Sequence, residues 1–404
     1  MDLIIGEGLT GSSVASYLQR MNKPYIIWAE SKKDQYIDLE IISKNADHIY
    51  ISPGCRINER PYSNLDRKKI KTDIEVFLNN IKTKNVIAIT GTNGKSSLVS
   101  LLEYGFKKLG LNSFSLGNNE KPPLDFMDKI NNDDWVILEL SSFQLAWMQN
   151  IFPFKIAGIT SFTPDHLNWH LDIKDYQVSK EKIFKNSIIN FAPISFKTQK
   201  NHFEWPSSYQ EVLMNATENE KLFLNNSKAK GPMIICLYQA LKIFKKLDFK
   251  EDLIFKILSD WAPEPYKYES IYKNKINWIN DSKATNVDAT LAAFDCLDEN
   301  KNIFCILGGL SKGQDLSRLK MIDKKASLFL AIGTAAKEIK NIFCEKAICV
   351  ETIDAAFEEI KKHQKPDIVI LSPACSSLDQ FKNYKHRGDV FNELVNKFNE
   401  FSYE

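Results

Sequence analysis

Between the apolar run Val86-Ile87-Ala88-Ile89 and a helix-length segment lies Gly91-Thr92-Asn93-Gly94-Lys95-Ser96-Ser97, a set of residues suited to holding phosphate. Two glycines let the backbone turn tightly, so its N–H groups and the positive end of the following helix can surround an anion. Lys95 supplies a cation for the outer phosphates, and the Ser96 hydroxyl can ligate magnesium. Ile89 stands where a strict P-loop has its first glycine, so the loop is a shortened form. Gly91, Thr92, Asn93, Gly94, Lys95, Ser96 and Ser97 are the expected contacts to the phosphates of ATP.

Other chemistry-bearing residues also follow apolar runs. Trp135-Val136-Ile137-Leu138 ends in Glu139, with the hydroxyls of Ser141 and Ser142 close behind. A carboxylate at a strand's carboxyl end can hold Mg²⁺ beside phosphates. Alone, Glu139 reads equally as a surface residue; coupled to the loop one crossover earlier, the metal reading is favoured. Asp165-His166-Leu167-Asn168-Trp169-His170 follows the run Ile156 to Thr160. Its histidines have HExxH spacing, yet leucine follows His166, so zinc is set aside; a lone histidine is usually structural, and only the place beside the phosphate loop makes His166 a candidate ligand.

Near the start, Gly6-Glu7-Gly8-Leu9-Thr10-Gly11 fits GxGxxG, with Glu30 further on and Ser52-Pro53-Gly54 after Ile49 to Ile51. Taken alone, this suggests NAD, although the same turn can hold any diphosphate. Three further polar loops follow strand-sized runs near the end: Asn280-Asp281-Ser282-Lys283-Ala284-Thr285-Asn286, Gly308 to Gly313, and Ser372 to Ser377. Asn, Asp, Ser and Gly are ordinary turn formers. Three such loops on one edge argue for a site.

These residues need strands to aim them, and the chain alternates short apolar runs with amphipathic helix-length segments, the rhythm of parallel sheets with crossover helices. At 404 residues about three domains are expected. The expected class is α/β, with a Rossmann-like N-terminal domain over 1–83, a P-loop-type central ATPase domain over 84–263, and a doubly wound C-terminal domain over 264–404. Arg67 to Lys84 reads as a helix leading into a linker. The polar stretch Lys197 to Lys230 carries no assignable period, and Pro263 and Pro265 mark a hinge.

A net charge of +2 gives no general attraction for nucleic acid, so no nucleic-acid partner is expected. No apolar run approaches the ~18 residues of a spanning helix, and the first residues lack the basic start of a secretory signal. Seven cysteines without CxxC pairing suit reduced thiols. A cytoplasmic monomer without a membrane partner is expected.

The loop GTNGKSS, the stretch ELSSFQL from Glu139, the segment NDSKATN and LSPACSSLDQFKNYKHRG over Leu371 to Gly388 together resemble the Mur ligases, which add amino acids to the peptidoglycan precursor. The last two are similar to the D-glutamate-adding branch in particular. The resemblance implies that the substrates are ATP, UDP-N-acetylmuramoyl-L-alanine and D-glutamate, with Mg²⁺. It implies that Gly8, Leu9, Thr10, Glu30, Ser52 and Gly54 hold the UDP part in place of NAD, with Asn118 nearer the sugar and Ser141 also among the residues that bind the UDP substrate. Lys95 would contact ATP phosphates, while Ser96, Glu139 and His166 would surround Mg²⁺. Lys180 matches the family lysine that reacts with CO₂ to form a carbamate; from the sequence alone, among Lys182 and Lys185, it reads as solvent-facing. Lys95, Glu139, His166 and Lys180 form the implied catalytic set.

In the last domain the resemblance implies that Asp281 and Lys283 reach ATP, and that Thr285, Lys312, Ser377, Leu378 and Tyr384 cradle D-glutamate. The chain departs from the family pattern where GPMIICLYQA replaces an HNxxN stretch, and where Tyr266-Lys267 replaces a His-Arg pair. Glu30 stands where aspartate is usual, Asn168 replaces an aspartate, and Tyr384 replaces phenylalanine. Closure of the last domain through the proline hinge is the expected conformational step.

Overall fold

Runs of Val, Ile and Leu bounded by Gly, Asn and Ser build three separate sheets, each with its functional loops at strand ends. The computed structural model describes residues 1–30, 38–150 and 152–398. The chain divides into two units, Met1–Ser207 with Gln239–Leu258, and Ser208–Tyr238 with Ser259–Glu404.

The first unit holds two sheets. In one, β1 (Asp2–Ile5), β2 (Tyr25–Trp28), β3 (Ile49–Ile51) and β4 (Ile70–Lys71) run parallel in the order β2-β1-β3-β4. The helix expected over Arg67 to Lys84 is shorter, spanning Asp73–Asn80. Thr72 stops it from starting earlier: its side chain and that of Glu75 form a reciprocal capping box, while Ile70 is buried by joining β3.

The other sheet comprises β5 (Val86–Thr90), β6 (Ser113–Gly117), β7 (Trp135–Glu139), β8 (Ile156–Ile159), β9 (Ile189–Pro193) and β10 (Phe203–Trp205), all parallel, in the order β10-β9-β8-β5-β7-β6. Strand β5 is therefore flanked by β7 and β8, and the chain departs from it in both directions, which makes its carboxyl end a switch point where α/β sheets bind ligands. The two sheets of this unit are tied through Trp147, fully buried among Leu3, Ile5 and Ile51. Its indole N–H donates to the Cys55 carbonyl at 2.8 Å, and the Arg67 guanidinium lies 4.7 Å from its ring. Burying such a ring contributes on the order of 4–6 kcal/mol before entropy.

The second unit holds β11 (Glu269–Lys273), β12 (Ile276–Asn280), β13 (Ile303–Gly308), β14 (Leu328–Ile332), β15 (Ala347–Glu351) and β16 (Ile368–Leu371), in the order β11-β12-β16-β13-β14-β15. All pairs are parallel except the edge hairpin β11–β12. The polar stretch without a period contains helices Tyr209–Asn215 and Glu218–Asn226. Ser208 and Thr217 cap them, the second with Glu220 in a capping box, so short-range cap signals define what periodicity did not. The backbone N–H of Tyr209 is held by Asp295 at 3.0 Å. Among the described residues no helix is long and apolar enough to cross a membrane.

Candidate functional site

Gly91 leaves β5 with φ of 146°, and a Cβ there would fall 2.0 Å from Thr160 Oγ1, so no larger residue fits. Gly94, with φ of 86°, is the N-cap residue of helix Lys95–Lys108. The loop between them is fixed from beneath. Ser161 accepts the Asn93 N–H on Oγ at 2.9 Å and the Thr92 N–H on its carbonyl at 2.9 Å, while Thr160 Oγ1 donates to the Asn93 carbonyl at 2.5 Å. The loop thus turns its Thr92 and Asn93 N–H groups onto Ser161 and leads into the positive end of helix Lys95–Lys108, a setting that favours an anion. The half-buried Lys95 donates to the Gly91 and Thr92 carbonyls at 2.9 and 2.8 Å. Burial pushes its pKa down, opposed by Glu139 and Asp165. Ser96 is exposed and Ser97 buried.

The register pairs Ile89 with Glu139 and Thr90 with Ile159, so the loops after β5, β7 and β8 emerge side by side. Glu139 is 1% exposed. Its Oε1 accepts from Asn118 Nδ2 at 3.2 Å, whereas its Oε2 is buried with no hydrogen-bond partner. An orphaned buried carboxylate oxygen is costly, and a cation relieves it, so this residue fits a divalent metal. Among the described residues no cluster of three or more His, Cys, Asp or Glu side chains could hold a metal. Mg²⁺ binds through one or two carboxylates and the phosphates of its nucleotide, and the open Oε2 of Glu139 is a carboxylate oxygen of that kind.

His166 takes a left-handed conformation, φ 56°, with its ring edge-on to Phe143 at 4.8 Å. Its Nε2 lies 3.5 Å from Asp165 Oδ2. Desolvation lowers its pKa, with Asp165 opposing and Lys95 and Lys180 reinforcing the shift. Asp165, which neighbours both lysines electrostatically, is absent from the sequence-based set.

Lys180, read from sequence as solvent-facing, is 1% exposed on helix Ile173–Glu181. Its Nζ donates to the Gly91 carbonyl at 2.8 Å and lies 4.6 Å from the Tyr176 ring centroid. Burial first, and Lys95 second, push its pKa well down, so the amine is pushed toward its neutral form. Helical periodicity in a polar segment gives no sign of this; the signal lies in tertiary packing, where the Tyr176 hydroxyl meets Thr92 Oγ1 at 3.0 Å.

At the first sheet, a cavity of about 530 Å³ is lined by Glu30, Ser52 and Gly54 together with Trp28, Arg56 and Tyr62. The last three were not singled out from the sequence. Ser52 Oγ is buried without a partner. Gly8, Leu9 and Thr10 lie outside that lining, at the start of helix Leu9–Arg20. Asn118 and Ser141 are also elsewhere: Asn118 holds Glu139, and Ser141 caps helix Ser142–Trp147 by accepting the Gln144 N–H at 3.1 Å.

In the second unit, the loops after β12, β16 and β13 leave three neighbouring strands, as the three polar motifs require. Asp281 is enclosed, accepting from Ser372 Oγ at 3.0 Å and the Tyr268 N–H at 3.2 Å, and burial pushes its carboxyl up to about 7. Lys283 is exposed, its ammonium 4.0 Å from the Tyr384 ring centroid. Thr285 is half-buried with its carbonyl accepting from Gln314, Lys312 is exposed with φ of 54°, Ser377 is buried, and Leu378 is 56% exposed.

Beneath these loops sits Arg387, fully buried, whose guanidinium donates to Ser282 Oγ at 3.1 Å, the Ser282 carbonyl at 2.9 Å and the Cys375 carbonyl at 3.1 Å. Burial lowers its pKa to about 10. Within KHRG it reads as one more surface cation; only the fold shows that it ties NDSKATN to SPACSS. Arg387→Leu orphans those acceptors, at about 1–3 kcal/mol each. A lowered urea midpoint is expected, checked by urea unfolding.

The chain matches the model of the Mur ligase middle domain over residues 89–231 and that of the Mur ligase glutamate ligase domain over 268–375. It is 32% identical to UDP-N-acetylmuramoylalanine–D-glutamate ligase of Buchnera aphidicola subsp. Baizongia pistaciae, with 97% of each chain covered. It is 31% identical to the ligase of that name in Francisella tularensis subsp. novicida, covering 97% of this chain and 95% of the relative. In fold it is similar to MurF ligase from Thermotoga maritima, solved with ADP, at a TM-score of 0.61 and 14% identity over 87% of this chain and 90% of that one. A pseudomurein peptide ligase type C from Methanothermus fervidus gives 0.60 at 16% identity, with 98% and 100% covered.

Proposed function

The chain belongs to the Mur ligase family, and on that premise we propose that it is a cytoplasmic ATP-dependent ligase joining D-glutamate to UDP-N-acetylmuramoyl-L-alanine, a step of peptidoglycan precursor synthesis. The observation that carries this reading is the convergence of the phosphate loop, Glu139 and Lys180 on the carboxyl ends of adjacent strands. In the proposed division of labour, residues 1–83 hold the UDP substrate, 84–263 activate it with ATP, and 264–404 bring D-glutamate.

A carboxylate resists amines because its oxygen is a poor leaving group. In the proposed reaction the alanyl carboxylate attacks the γ-phosphorus of ATP in line, ADP departs, and an acyl phosphate results. The neutral amine of D-glutamate then attacks the acyl carbon, the tetrahedral centre collapses, and phosphate leaves as the amide forms. The loop N–H groups and Lys95 bind and orient the phosphates while spreading the negative charge. Ser96, Glu139, His166 and a carbamate on Lys180 would hold Mg²⁺, which supplies charge neutralisation for the transferring phosphoryl group. Glu30, Ser52 and Gly54, with Gly8, Leu9 and Thr10, hold the UDP part; Asn118 and Ser141 serve the sugar side. Asp281 and Lys283 serve ATP, and Thr285, Lys312, Ser377, Leu378 and Tyr384 hold the dianionic amino acid through hydroxyls and cations.

Phosphate release measured with ATP, Mg²⁺ and UDP-N-acetylmuramoyl-L-alanine is expected to require D-glutamate and to run at least about 100-fold slower with L-glutamate, since a site built to pair polar groups rejects a ligand that leaves them unpaired. Equal turnover with L-glutamate or other D-amino acids defeats the choice of acceptor.

A further inference from the structure

Ser142, His170 and Asp175 form a hydrogen-bonded chain, buried at Ser142 and His170 and partly exposed at Asp175, that the proposed chemistry leaves without a role. His170 Nε2 lies 2.9 Å from Ser142 Oγ, and Nδ1 lies 3.0 Å from Asp175 Oδ2. The His170 side chain has no exposure and Ser142 only 2%. The order Ser, His, Asp is that of a hydrolytic triad, but a nucleophile must reach its substrate, and this hydroxyl is sealed in the core. The aromatic rings of Trp169, Tyr176 and Phe143 pack around the imidazole at 4.7, 5.1 and 5.8 Å between centroids. A fully partnered polar chain in such a setting fixes geometry.

What it fixes follows from where its ends attach. Ser142 begins helix Ser142–Trp147, three residues after Glu139. The backbone N–H groups of Trp169 and His170 both donate to the His166 carbonyl at 2.9 Å. Asp175 lies five residues before Lys180 in helix Ile173–Glu181, and its Oδ2 also accepts the Leu171 N–H at 3.2 Å. A single imidazole thus links the segments that carry Glu139, His166 and Lys180. Residues 160–172 contain no helix or strand, so no ladder of backbone bonds holds His166 in its left-handed conformation. Trp169 adds a further tether through its indole N–H to the Gly54 carbonyl at 3.2 Å.

We propose that Asp175, His170 and Ser142 form a positioning brace that sets the spacing of Glu139, His166 and Lys180, and thereby the affinity of that site for its divalent cation. The proposal rests on the ligase reading for the identity of the site. Nδ1–H of the imidazole donates to the Asp175 carboxylate, and Nε2 accepts from the Ser142 hydroxyl. Hydrogen-bonding partners that orient metal ligands alter metal affinity or activity by about 10–100-fold when removed.

Ser142→Ala deletes one oxygen, His170→Asn keeps a polar group only on the Asp175 side, and His170→Gln restores an amide near the place of Nε2. Mn²⁺ binding in the presence of ADP, followed by loss of the free-ion electron paramagnetic resonance signal, reads the site without turnover. Ser142→Ala and His170→Asn are expected to weaken Mn²⁺ binding about 10-fold or more. They are also expected to raise the Mg²⁺ concentration needed for half-maximal phosphate release, with the KM for the UDP substrate within about twofold of the parent and substantial recovery in His170→Gln. Folded variants, judged by circular dichroism, that bind Mn²⁺ as the parent does overturn the brace. So does a loss shared by every parameter, with a lower melting temperature and no recovery in His170→Gln. If the parent protein forms no amide from D-glutamate, the ligase reading fails, while the Mn²⁺ comparison still reports on the brace.

Discussion

Lys95→Ala is expected to lower the rate of phosphate release by about 10²–10³-fold or more, the loss that follows removal of one preorganised electrostatic contact to transition-state charge. The cation is set where it can act, because its Nζ reaches back to the Gly91 and Thr92 carbonyls and therefore sits over the loop. Burial lowers its pKa, and the neighbouring Glu139 and Asp165 carboxylates oppose that shift. Those same carbonyl contacts help order the loop, so the variant must be tested for stability by thermal melting. Nucleotide affinity from equilibrium titration separates weaker binding from a slower chemical step. A kcat loss exceeding the loss in ATP affinity is the expected outcome, because charge on the phosphoryl oxygens redistributes during transfer. Near-parental turnover in a folded Lys95→Ala protein removes the assigned role of the loop.

The parts of this site that could be read in the sequence are those whose signal is local. The loop from Gly91 to Ser97 is contiguous, and the runs before it, before Ser141 and before Asp281 are uninterrupted enough to mark strands and their carboxyl ends. Strand β6 escaped because serines occupy its buried positions: Ser113 and Ser115 are hidden only because the Glu103 carbonyl and carboxylate accept their hydroxyls at 3.2 and 2.6 Å. Strand β9 is half-exposed at its start, and β11 alternates with exposed Ser270 and Tyr272, as an edge strand does. Lys180, Arg387 and His170 were beyond local reasoning for a different cause. Each is a polar residue in a polar stretch, and each is buried with a partner 28 to 105 residues away in sequence: Gly91 for Lys180, Ser282 for Arg387 and Ser142 for His170, the separations being 89, 105 and 28. The family resemblance supplied Lys180, while the other two required the fold.

Lys180→Ala is expected to reduce turnover about as severely, by about 10²-fold or more, because the buried amine is the proposed source of a carboxylate toward Mg²⁺. The step is Lys–NH₂ plus CO₂ giving Lys–NH–COO⁻ and one proton, so only the neutral amine reacts. At an ordinary lysine pKa of about 10.4 roughly one molecule in 10³ is neutral near pH 7, which makes the adduct scarce. Burial and the nearby Lys95 push Lys180 well below that range and remove the obstacle. The direction of the pH dependence follows. As pH falls through the folded-state pKa, the amine protonates, the adduct is lost, and a buried ammonium replaces it. Between the folded-state pKa and the ordinary value the unfolded chain binds more protons than the folded one, so stability rises with pH across that window. The checks are a carbamate resonance in ¹³C NMR after equilibration with ¹³C-bicarbonate, present in the parent and absent in Lys180→Ala, and activity that rises with bicarbonate at fixed pH. A parent protein without that resonance, retaining full activity after removal of CO₂, defeats the carbamate. The ammonium-to-carbonyl contact with Gly91 at 2.8 Å would then be read as a structural tie between helix Ile173–Glu181 and the phosphate loop.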